Sequence, residues 1–267
     1  MMPYIWKEWL EQVRSKGLWL GLAMLMFTSL FLIAEARSFP EDLGFEALLL
    51  SLFDLNIYLI PLFAMFLSSF SIFQEKELKT NMILLTKKES TTSFLFRKSV
   101  AIQFSILAAF LGAYFILAFF MIGFLSFHIS SFIHFIIGLI VFLIIFNQVG
   151  IFLGSISKTK MQLIGVNIFA WFFVVFLSDL VFLYVLPAIT FDNLRIFSWI
   201  YFLDPVHTLR FYLEVEFGMF SMAHMSRLME KFVFMDAWIF MLINVIIWPL
   251  FFFGLSVLFK KRGGSHD

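Results

Sequence analysis

Six apolar runs separated by shorter polar stretches organise the chain. They extend from Gly17 to about Ala34, Leu48 to Phe73, Val100 to Phe124, Phe132 to Gly154, Leu163 to Leu186 and Trp238 to Phe259. Each is close to the roughly 20 apolar residues that a helix needs to cross about 30 Å of hydrocarbon. The pattern predicts an all-α polytopic membrane protein: six transmembrane helices in a single membrane domain over residues 1–267, with both termini on one face.

The polar stretches carry their own patterns. In residues 3–16, Trp6, Trp9, Leu10 and Val13 recur at helical spacing, with Lys7, Glu8, Glu11 and Arg14 on the other side. This predicts an amphipathic helix lying at the membrane interface, its tryptophans at headgroup level. Between the fifth and sixth runs, residues 187–236 have mixed hydropathy and form an extracytoplasmic segment. Asp204 as N-cap and Pro205 at the first helical position predict a helix that runs to a stop at Gly218, with Arg210 and Glu214 spaced i, i+4. Ser221 predicts the cap of a second helix on which Met222, Met225 and Met229 share a face, with His224 close by. Two short helices on the outer membrane surface would make a docking platform for a partner, with Asp204, Pro205, Arg210 and Glu214 presented to it.

Composition agrees with a bilayer protein. Hydrophobic residues make up 62% and charged residues only 14%, where soluble domains carry about a quarter charged. Mean hydropathy is +0.97. The 41 phenylalanines read as lipid-facing bulk, and the lack of cysteine excludes disulfides, thiolate metal sites and cysteine nucleophiles. The run from Gly17 is long enough to span, so it reads as a membrane helix rather than a cleavable signal.

Charge placement predicts the orientation. The N-terminal segment, the 74–99 loop, the 155–162 loop and the C-terminus hold three, six, two and three basic residues, 14 of the 19 Lys and Arg. The positive-inside rule therefore puts the termini and the 74–99 loop in the cytoplasm of a cell-membrane protein.

Candidate chemistry is sparse. Asp54, Asp179 and Asn244 fall at similar depth in the second, fifth and sixth runs, about 9–11 Å from their outer ends at 1.5 Å per residue. Polar groups in hydrocarbon face a cavity or a partner, so the three read either as a polar vestibule or as helix-packing contacts. Asn147 and Asn167 read as interhelical glue. Neither HExxH nor a Gly-x-Ser-x-Gly elbow occurs, and no GK[ST] phosphate loop exists, so no catalytic residues are expected and any ATP, with its magnesium, belongs to another subunit. Met222, Met225, Met229 and His224 offer soft ligands for Cu(I), although packing or partner contact explains them as well. Nothing suggests nucleic-acid binding.

SIFQEKELKTNMILL followed by FLFRKSVA resembles the cytoplasmic loop of exporter-type ABC transporter permeases, through Glu75, Glu77, Thr80, Leu84, Leu85 and Lys98, with Lys79 where the family usually has Gly. GSISKTKMQLIGVNIFAWFFVVFLSDL is similar to the junction of the fourth and fifth spans in NosY-type permeases, with Gly154, Ser155, Ser157, Gln162, Trp171 and Asp179 in step. DPVHTLRF resembles their Asn-Pro-x-x-x-x-Arg segment. The resemblance implies a permease that works with a cytoplasmic ABC ATPase and an extracytoplasmic partner in maturing the copper centres of nitrous-oxide reductase. Two ATPase domains closing around ATP imply a permease homodimer. Glu75, Glu77, Thr80, Leu84, Leu85, Lys87 and Lys88 are then the expected ATPase-coupling residues, with a short coupling helix around Thr80 to Glu89. The alternatives are an ABC permease exporting an antimicrobial peptide, lipid or ion, and a non-ABC membrane scaffold or carrier.

Overall fold

The computed structural model describes residues 2–36, 44–77, 91–220 and 227–263. Its regular elements, in chain order, are α1 (Met2–Arg14), α2 (Lys16–Glu35), α3 (Gly44–Glu77), α4 (Thr91–Phe124), α5 (Ile129–Ile156), α6 (Lys160–Phe172), a π turn (Phe173–Leu177), α7 (Ser178–Val185), a 3₁₀ turn (Leu186–Ala188), α8 (Leu194–Leu203), α9 (Pro205–Glu216), α10 (Arg227–Phe232) and α11 (Ala237–Gly263). Among the described residues there is no strand.

Six helical stretches are long and apolar enough to cross a membrane: Lys16–Glu35, Gly44–Glu77, Thr92–Phe124, Ile129–Ile156, Lys160–Ala188 and Met229–Phe259. They contain the six apolar runs, and several extend past them. In hydrocarbon a helix keeps its backbone groups paired internally, so α3 and α4 continue until solvent can take over the orphan groups. The fifth span is assembled from α6, the π turn and α7. Its π turn holds a residue more than an α turn, a local irregularity that often marks a functional segment.

At the centre, α3 packs along much of α5. Small residues allow the approach: a Cβ on Gly150 would come within 2.5 Å of the Met65 carbonyl, and one on Gly154 within 3.0 Å of Ser69 Cα. Where lipid tails are as apolar as leucine, such close backbone packing and a few interhelical hydrogen bonds hold a bundle together. Asn147 donates to Gln103 Oε1 of α4 at 3.1 Å, and Asn167 of α6 donates to Ser69 Oγ of α3 at 2.9 Å. The fifth span is peripheral and leaves Phe169, Phe173, Leu180 and Tyr184 exposed.

The segment between the fifth and sixth spans differs from the surface platform expected of it. α8 and α9 form a helical hairpin, and α9 packs against α3, α5 and α11. Pro205, Val206, Thr208, Leu209, Phe211, Tyr212 and Leu213 are all buried. At its tip, Trp248 Nε1 donates to the Leu203 carbonyl at 2.9 Å. Trp248 lies about three turns into α11, roughly 16 Å from its start at 1.5 Å per residue. Near its other end, Glu216 meets His134, little more than one turn into α5. The hairpin therefore dips about halfway down the spans with its tip pointing inward. Hydropathy could not distinguish this from a surface position, because α8 is as apolar as a span and α9 buries its apolar face against protein instead of lipid.

Candidate functional site

Two polar clusters lie at opposite ends of the bundle. The one near the termini is built on the amphipathic helix. As predicted, α1 is amphipathic, but its acidic side faces protein: Glu8 is buried, Ser71 Oγ donates to its Oε1 at 2.6 Å, and Lys98 of α4 donates to its Oε2. Lys98 also reaches Glu75 at 3.2 Å, and Lys7 donates to the same Glu75 oxygen at 2.8 Å. Burial alone would lower the Lys7 pKa, but the hydrogen bond and charge of Glu75, followed by the Glu11 charge, outweigh it and hold the ammonium above its ordinary value. A buried charge is tolerated when its partners surround it, and this lattice pins α1 to both α3 and α4.

Glu75, expected to face an ATPase, is thus only 6% exposed and serves as an internal tie. Glu77 remains at the surface and pairs with Lys160 at 3.0 Å, linking α3 to the start of α6. Between these two residues, Lys76 donates to the carbonyls of Ser155 and Ser157 at the end of α5. Thr80, Leu84, Leu85, Lys87 and Lys88, with the expected coupling helix, lie outside the described residues. Charge pattern along one helix could not have revealed the lattice, since the partners are 68 and 90 positions from α1. The available signal was complementary charge at one membrane depth on three helices.

The second cluster surrounds the hairpin. Asp204 caps α9 as predicted, accepting from the Val206 backbone N–H at 2.8 Å. Its other oxygen lies 3.5 Å from His207 Nδ1, while His207 Nε2 lies 3.3 Å from Asp179 Oδ1. One imidazole therefore stands between two carboxylates, and its ring packs against Tyr201 and Phe182 with centroids 4.3 and 4.9 Å away. Arg210 reaches Asp54 at 3.4 Å and Glu214 at 3.2 Å. Two of the three polar residues expected in a vestibule, Asp54 and Asp179, are thus gathered onto one hairpin. His207 joins them, and nothing in its sequence context singled it out.

Asn244 takes the packing role and not the vestibule role. It is wholly buried and donates to the Phe202 carbonyl at 2.7 Å and to Thr208 Oγ1 at 3.3 Å, locking the hairpin tip to α11. Asp204 and Pro205 are likewise engaged inside the bundle, so of the expected docking residues only Arg210 and Glu214 keep substantial exposure.

Met229 lines a cavity of about 790 Å³ together with Asp179 and His207. Met222, Met225 and His224 lie outside the described residues, and the described residues contain no group of three or more His, Cys, Asp or Glu able to hold a metal ion. Comparison with known proteins adds no family: no protein-family model matches the chain, and no curated protein matches it.

Proposed function

We propose that this chain is the membrane permease subunit of an exporter-type ABC transporter, driven by a separate cytoplasmic ATPase and working as a pair of identical copies. The observation that carries this reading is the ionic lattice around Lys98. The segment 78–90 joins α3 to α4, and Lys98, Glu75, Lys7 and Glu8 fasten the ends of both helices to α1. A push on that segment would therefore reach three helices as one body, with Lys76 and Glu77 extending it to α5 and α6. A permease lacking its own phosphate loop needs such a receiver. Resemblance to the NosY-type permeases supports a cytoplasmic placement of this face, a partner on the opposite face near Arg210 and Glu214, and a part in copper-centre maturation of nitrous-oxide reductase.

Co-purification of the full chain with the P-loop ATPase expressed beside it tests the reading. Replacing Leu84 and Leu85 with Asp is expected to abolish the association and any stimulation of ATP turnover while leaving membrane insertion intact. Unchanged binding and turnover in that variant would refute the coupling role. Failure of any ATPase to associate with the unmodified chain would favour the scaffold or carrier reading.

A further inference from the structure

The cavity beside Asp179 has features that the coupling mechanism does not use. Its walls come from α7, α8, α10 and the start of α9, in the half of the bundle away from the termini. At about 790 Å³ it is within the range of small-molecule sites. Phe182, Phe197, Tyr201 and Phe232 supply aromatic walls, and Asp179 and His207 form a polar end.

Asp179 decides what such a space accepts. Its side chain is 57% exposed although it lies two turns before the end of the fifth span, about 10 Å along the helix axis. A carboxylate at that depth is costly without compensation. Among the described residues its ionic partner is His207, and His207 is shared with Asp204, so one imidazole stands against two carboxylates. Arg210 does not relieve the excess, being engaged with Asp54 and Glu214. Aromatic faces reinforce the selection, since the ring quadrupole attracts cations, most strongly away from water. The rim already shows this chemistry: Lys231 Nζ sits 3.7 Å from the centroid of Phe191.

From this geometry we infer that the cavity binds an amphipathic organic cation, its charge against Asp179 and its apolar body between the aromatic walls. Neutral amphiphiles would leave the carboxylate uncompensated, and anions would be repelled by it. Binding at this site does not depend on an ATPase, so its failure and the failure of the coupling reading are separate results.

Equilibrium binding of radiolabelled tetraphenylphosphonium to the purified full chain in phosphatidylcholine nanodiscs tests the inference, with tetraphenylborate as a probe of the same shape and opposite charge. Saturable phosphonium binding is expected, with no saturable borate binding. Asp179→Asn should weaken phosphonium binding by about tenfold or more, the scale of losing a desolvated charge partner. Asp179→Glu, which keeps the charge, should retain saturable binding and so separates the carboxylate's role from a folding defect. Equal binding by wild type and Asp179→Asn, equal loss in both variants, or saturable borate binding would each overturn the inference.

Discussion

The Arg210 guanidinium lies 3.4 Å from Asp54 Oδ2, joining α9 to α3 across 156 positions of sequence. Both side chains keep partial exposure, 49% for Arg210 and 39% for Asp54. Together they anchor the hairpin to the central helix pair. Because both side chains are more than a third exposed, the pair is expected to contribute only about 0.5–1 kcal/mol. A double-mutant cycle with Asp54→Asn and Arg210→Gln, followed by thermal denaturation in detergent, should show that coupling. Strict additivity of the two substitutions would show the contact to be energetically idle.

Lys98 should behave differently, because its partners Glu8 and Glu75 are buried with it. Lys98→Met leaves the buried Glu8 without its cation and Glu75 with Lys7 alone, and is expected to cost about 3–5 kcal/mol, seen as a large drop in melting temperature or loss of monodisperse protein. Lys98→Met combined with Glu8→Gln and Glu75→Gln should recover much of it. A triple variant no more stable than Lys98→Met would contradict the ion-lattice account.

The glycines offer a graded test of the central seam. A methyl group on Gly150 meets Met65 backbone and the Ser68 side chain, whereas one on Gly112 or Gly254 meets nothing within 4 Å. Gly150→Ala should therefore destabilise by about 1–3 kcal/mol as α3 and α5 are forced apart. Gly112→Ala should be neutral or slightly stabilising through its better helix propensity. Comparable melting curves for the two variants would mean that the seam yields without cost.

Asn244 makes a third kind of contact. Asn244→Leu removes one of two donors to the buried Phe202 carbonyl, which keeps Thr208 Oγ1 at 2.6 Å, and a loss of about 0.5–1.5 kcal/mol is expected. Proteolysis of the 186–205 region should rise with it, because the hairpin tip loses its hold on α11. Unchanged protease resistance would place the anchoring elsewhere, for instance on Trp248.

Much of the scaffold was legible because a bilayer makes apolar length decisive. The six spans, the amphipathic α1, the Asp204 cap and the helix stop at Gly218, whose φ is +71°, all follow from local rules. Partner choice was less legible. Periodicity identifies the faces of one helix but does not say which helix each face meets, and protein and lipid surroundings look alike to hydropathy. Hence α9 read as a surface helix, and Glu75 as a docking residue when it ties α1 to α4. Asp54 and Asp179 were recognisable because a carboxylate in an apolar run needs a reason. His207 was not, since its role arises only when Asp179 is brought 3.3 Å from it.

The π turn at Phe173–Leu177 sets the azimuth at which α7 continues from α6 within the fifth span. Asp179 follows two residues later, so its bearing on His207 depends on that extra residue. Deleting one residue from the turn would rewind the segment by about 100° about its axis. The carboxylate would then point toward a different neighbour while every apolar residue stayed at nearly the same depth. The irregularity acts as a phase setting, deciding whether this span merely crosses the membrane or presents its one acid to the hairpin.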